Sequence, residues 1–163
     1  MDARIKSGHD DCAWMTDVFH LRPYRTEDED AAIALWQHTW QQTYPDIDFA
    51  ARVAWWRERW CNELVPNATI TVAEQAGALG GFVTIDRKGY LDQLVVAPDH
   101  WGSKLAERLV NEAKRLSPDG ITLLVNTDNA RAIRFYERNG FVHAGADVNP
   151  TSGRPVLRME WKG

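Results

Sequence analysis

A mixed α+β fold, with a mostly antiparallel sheet and helices on both faces, is what this sequence predicts. Three observations carry the prediction. Strand-length apolar runs are interspersed with helix-length amphipathic ones along the chain. Three successive strand runs between 69 and 96 are joined by short turns, as an antiparallel meander requires. One strand–helix–strand unit, from Tyr90 to Val125, needs a right-handed crossover and therefore makes its two strands parallel.

The elements follow in order. Residues 1–17 show no period and carry many charges, and they read as a flexible leader to a single domain at 18–163. The run 18–25 alternates as a strand, and Pro23 suits an edge. Thr26 followed by four acids marks a helix start; Ile33, Trp36, Trp40 and Tyr44 recur at helical spacing before Pro45 stops it. A second helix is expected over 48–64, with Val53, Trp56 and Trp60 on one face. Strands follow at 69–75, 79–87 and 90–96. A helix from about 102 to 116 carries an apolar stripe through Leu105, Leu109 and Ala113. The run 121–125 is apolar on both faces, as a strand covered by helices should be. A short helix capped by Asp128 or Asn129 ends at Asn139-Gly140, where glycine suits the left-handed cap. Strands at 141–146 and 156–161 complete the order β-α-α-β-β-β-α-β-α-β-β.

Composition excludes several functions. A hydrophobic share of 44% with 26% charged residues is that of a folded, water-soluble chain. A net charge of −4 disfavours a protein that grips phosphate backbones, so no nucleic acid is expected as partner. No apolar run approaches the roughly 18 residues that span a bilayer, so no membrane partner is expected. Cys12 and Cys61 are too few for a metal cluster, and no metal is expected. One of them lies in the leader, so a structural disulfide is not expected and a reducing cytoplasm is the natural compartment.

Two segments carry candidate chemistry. In LDQLVVAPDHWGSKLA (91–106) a strand ends, a turn of small and polar residues follows, and a helix begins. The first N–H groups of a helix lack internal partners and, with the dipole, attract a phosphate; the same pattern also fits an ordinary strand–turn–helix junction. It is neither a P-loop nor a dinucleotide fingerprint, because the glycines of both are missing. In NARAIRFYERNGF (129–141), Asn129, Ala132 and Tyr136 share one helix face. A capping Asn, a packing Ala and a core Tyr would look the same.

Taken together, these segments resemble the GNAT superfamily of acyl-CoA-dependent N-acetyltransferases. NARAIRFYERNGF matches the family pattern NxxAxxFYxxxGF at every defined position, and LVVAPDHWGSKLA matches the strand, V-x-P and glycine-containing loop of its other signature. The likeness covers about 18–161. It departs in the phosphate loop, usually [Q/R]-x-x-G-x-[G/A]: Trp101 stands at the first position, Lys104 at the first patterned Gly, and Ala106 at the last small position.

The resemblance implies an enzyme that moves an acetyl group from acetyl-CoA to a primary amine of a small molecule or peptide, by direct attack in a ternary complex. A non-catalytic acyl-CoA binder and a plain interaction module are the competing expectations. Acyl-CoA would enter a V-shaped opening between strands 90–97 and 121–126, splayed by a bulge near Leu94–Val95. Backbone N–H of Val95 or Val96 would hold the thioester carbonyl, and Leu94 and Val96 would pair with the pantetheine. The N–H groups of Trp101, Gly102, Ser103, Lys104, Leu105 and Ala106 would take the pyrophosphate, with Asn129 and Ala132 beside the pantetheine. Tyr136 matches the family's general acid. Asp92, before the bulge, is the leading candidate base, with Glu74 and water as alternatives. The acceptor pocket would form from the first two helices and the late strands, with Trp40 and Tyr44 as its aromatic wall. His38, His100 and His143 read as structural or solvent-facing. The exposed edge of the last strand is the expected surface for pairing of two copies.

Overall fold

In the computed structural model, which describes residues 18–163, the elements run β1 (His20–Pro23), α1 (Glu29–Thr43), α2 (Val53–Arg59), β2 (Ala68–Gln75), β3 (Ala78–Asp86), β4 (Tyr90–Val96), α3 (Leu105–Leu116), β5 (Ile121–Asn126), α4 (Ala130–Arg138), β6 (Val142–Val148) and β7 (Pro155–Trp161). The expected leader lies outside the described residues. The seven strands form one sheet in the order β1-β2-β3-β4-β5-β7-β6. Only β4 and β5 are parallel.

Adjacent residues of β3 show how the sheet separates two cores. Phe82 enters a cluster with Trp36, Trp56, Trp60 and Val95 under α1 and α2. Val83, pointing the other way, joins Leu105, Leu109, Val110 and Tyr136 under α3 and α4. The first core is an aromatic stack: Trp36 and Trp56 lie parallel at 4.6 Å, and the Trp60 ring meets Phe82 edge-on at 5.1 Å. Trp60 is fully buried and donates its indole N–H to the Tyr24 hydroxyl at 3.1 Å.

Three sequence expectations are corrected. Thr26 does not cap α1. A short 3-10 turn at Thr26–Asp28 precedes the helix, and the Asp28 carboxylate accepts from the Arg25 N–H and from Arg22, both at 2.8 Å. The second helix does not stop at 64. After Arg59 it widens into a π turn at Trp60–Leu64 and ends with one more turn, Val65–Asn67, that includes Pro66. The last strand has no exposed edge, because β7 lies between β5 and β6. The free edge beyond it belongs to β6, where Val142 and Val148 are exposed.

Candidate active site

The opening between β4 and β5 is real and has a local cause. The two strands pair only at Tyr90–Thr122 and Leu91–Leu123. Opposite β4, the ladder on β3 advances two residues, Ile85 to Val83, while β4 advances three, Leu91 to Leu94. The extra residue therefore sits at Asp92–Gln93, earlier than the expected bulge at Leu94–Val95. Thr84, fully buried on β3, explains the position: its Oγ1 accepts the Gln93 N–H at 3.1 Å, a donor the bulge would otherwise strand.

Beyond the bulge the backbone directions follow from alternation. Ala97 donates to the Gly80 carbonyl at 2.8 Å, and a Cβ at Gly81 would meet the Val95 carbonyl at 2.7 Å. The backbone of Val95 therefore belongs to the β3 ladder, which corrects its expected share in holding the thioester carbonyl. Leu94 and Val96 face the opening. The Val96 carbonyl accepts the indole N–H of Trp101 at 2.8 Å, leaving its N–H toward the gap.

After the turn Pro98–His100, Gly102 adopts φ +84 with nothing within 4 Å of a would-be Cβ. That left-handed residue sends the loop across the end of β4 and into α3. Ser103 Oγ accepts the Leu105 N–H at 3.2 Å, and the first bond inside the helix runs from the Arg108 N–H to Lys104 at 3.0 Å. The N–H groups of Ala106 and Glu107 have no acceptor among the described residues, so the tip of this three-turn helix is open to an anion. Lys104 is exposed beside it. Arg131, at an undefined position of the second signature, lays its guanidinium 3.8 Å from the Trp101 ring centroid and makes no ion pair among the described residues. Burial pulls its pKa below the usual arginine value.

These groups line a cavity of about 590 Å³ that also touches Leu94, Val96, Asn129, Ala132 and Tyr136. A second cavity, of about 300 Å³, lies toward α1 and α2. Trp40, Leu94, Asn129, Ala132 and Tyr136 line both. Asn129 caps α4, its Oδ1 accepting the Ala132 N–H at 3.2 Å. Tyr136 is 8% exposed, wedged between Phe135 and Phe141, and its hydroxyl has no polar partner among the described residues. Burial drives its pKa above the ordinary tyrosine value, so it keeps its proton at neutral pH.

Asp92 does face the second cavity, but it is not free. Arg59 grips both oxygens, at 3.0 and 2.5 Å, and Gln93 Nε2 donates to Oδ1 at 3.0 Å. Glu74 pairs with Arg22 at 2.6 Å and lines neither cavity. Trp40 and Tyr44 stack at 5.9 Å on the second cavity's wall, beside Trp36 and Trp55. The Tyr44 hydroxyl donates to Asp128 at 2.8 Å and accepts from Asn126 at 3.1 Å. Burial, then that carboxylate, pushes its pKa up to about 12. His100 packs edge-on against Phe19 at 4.8 Å, and His143 contacts Glu137 at 2.8 Å. Sequence reasoning missed Arg59, Gln93 and Arg131; Gln93 and Arg131 lie within the two candidate segments, and Arg59 lies in neither.

Known proteins share this fold. The acetyltransferase (GNAT) family profile matches residues 29–141. The chain belongs to the GNAT acetyltransferase family. It is 29% identical over 140 residues to the peptidyl-lysine N-acetyltransferase YjaB of Salmonella typhimurium, covering 85% of this chain and 93% of that one. Among solved structures, a GCN5-related N-acetyltransferase from Rhodopseudomonas palustris superposes with TM-score 0.78 at 21% identity, covering 90% of this chain and 96% of that one. The PaiA N-acetyltransferase of Thermoplasma acidophilum, solved in complex with coenzyme A, superposes at 0.72 with 23% identity over 90% and 99%. As a GNAT acetyltransferase the chain carries out acetyl transfer that depends on acetyl-CoA. The open helix tip and the unpaired β4 backbone suit the pyrophosphate and amide groups of that molecule. No helix among the described residues is long and apolar enough to cross a membrane.

Proposed function

We propose that the acetyl group passes directly to a primary amine with both substrates bound at once, the donor in the larger cavity and the acceptor in the smaller. The supporting observation is that the two cavities meet at Tyr136, the residue matched to the family's acid. Acetyl-CoA supplies a thioester carbonyl that an unprotonated amine can attack. The N–H groups of Ala106 and Glu107 bind its pyrophosphate, with Lys104 adding charge. Backbone groups of Leu94 and Val96 align the pantetheine as a short added strand, and the Val96 N–H polarises the carbonyl. Tyr136 holds a proton at Oη and delivers it to the leaving sulfur.

The amine's own proton leaves through water in the open cavity, because the Asp92 oxygens are engaged by Arg59. Asp92 then acts by keeping Arg59 and the bulge in place, and positioning supplies much of the rate. The cytoplasm suits Cys61, a free thiol. Pairing of two copies, if it occurs through a sheet edge on this side, uses β6.

Initial-velocity kinetics test the reading, following coenzyme A release while both substrates are varied. Intersecting lines are expected. Parallel lines would indicate an acetylated enzyme and overturn direct attack.

A further inference from the structure

The smaller cavity has a charge balance that a simple cationic amine does not fit. Three arginines line it, and Asp92 is its one lining carboxylate, already committed to Arg59. Arg154 is paired with Asp128 at 2.6 Å. Arg52 is left over. It is exposed at the mouth, its guanidinium 5.4 Å from the Phe49 ring centroid, in no ion pair among the described residues. A polyamine or a bare ammonium entering here meets an unpaired cation and no free carboxylate.

The buried polar atoms add a second, independent observation. Trp40 and Trp56 line this cavity, and both indole N–H groups are buried without an acceptor. Gln93, on the bulge, buries an Oε1 without a donor, while its Nε2 is tied to Asp92. Orphaned donors and acceptors of this kind are costly unless a ligand satisfies them. The walls between them are aromatic, and about 300 Å³ sits at the small end of ligand sites.

We propose that the acceptor is an amine that also bears a carboxylate on an apolar or aromatic frame, a molecule of amino-acid type. Arg52 takes the carboxylate, and Gln93 Oε1 accepts an N–H of the amine. An amide oxygen orients an amine without removing its proton, which agrees with loss of that proton to water. This inference rests on reading the smaller cavity as the acceptor side, and it names the acceptor's chemical class.

Matched pairs test it: L-tryptophan against tryptamine, and L-phenylalanine against phenethylamine, with spermidine and a lysine peptide of basic flanks as cationic controls. With acetyl-CoA as donor, the carboxylate-bearing member of each pair is expected to show about tenfold or higher kcat/KM. In Arg52→Gln that ratio falls to about threefold or less. Independently of turnover, N-acetyl-L-tryptophan should raise the melting temperature more than N-acetyltryptamine, and Arg52→Gln should erase the difference. Equal or better use of the decarboxylated partners, or a preference that survives in Arg52→Gln, overturns the proposal. Acetylation of spermidine or the lysine peptide alone overturns it too, yet leaves acetyl transfer to amines standing. If no amine at all is acetylated, the acceptor reading beneath it fails as well.

Discussion

Tyr136 is protonated for a physical reason: burial of the residue disfavours the charged form, and no cation pairs with it among the described residues. Tyr136→Phe keeps the ring packing against Phe135 and Phe141 and removes only the hydroxyl. We expect kcat to fall about 100-fold with the calorimetric Kd for acetyl-CoA little changed; an unaltered kcat would exclude the acid role. Asp92→Asn answers a different question. It leaves the Arg59 guanidinium, 23% exposed, with only the exposed Glu63 carboxylate at 3.4 Å, at an expected cost of about 1–3 kcal/mol in urea unfolding. If water takes the amine's proton, the pH profile of kcat/KM keeps its shape in this variant. A lost limb would restore Asp92 as the base. Neither the ion pair nor its consequence was legible in the sequence. Arg59 and Asp92 are 33 residues apart, and nothing local marks a charged residue on α2 as the partner of one on β4.

At the level of elements, the most readable part was α4 with its flanks, because its determinants are local. The capping Asn129, the small Ala132 and the terminal Gly140 at φ +91 all act within one helix length. Asn129→Ala should cost about 1 kcal/mol of stability and also weaken acetyl-CoA binding, since the cap borders both cavities; a melting curve and a titration check the two effects separately. The bulge was foreseen but misplaced. What sets its position is a hydroxyl on the neighbouring strand, Thr84, whose alignment with Gln93 depends on the register between two strands. The π turn after Arg59 was not foreseen at all. WCNEL reads as an ordinary helical stretch, and its widening coincides with Trp60 seating on Phe82 below.

Across the whole molecule, two half-buried tyrosines lining the smaller cavity make stability sensitive to alkali. Tyr44 and Tyr90 have pKa values lifted by burial from 10.0 to about 12 in the fold. Both hold their protons more tightly folded than unfolded, so their contribution is complete below pH 10 and is lost as pH climbs toward 12. The urea midpoint should therefore drop over that window, and Tyr44→Phe should blunt the drop. The fold class was legible because hydrophobic period and turn spacing speak for each segment separately. The exchange of β6 and β7 was not, because two strands of similar length and pattern carry no mark of which lies inside. That exchange has a consequence for synthesis on the ribosome. The outermost strand, β6, is made before the one that must slip in between it and β5, so it waits without a partner until β7 has emerged. Trimming 155–163 should thus leave β6 unpaired and bare one side of β5, and the shortened product should appear in the insoluble fraction.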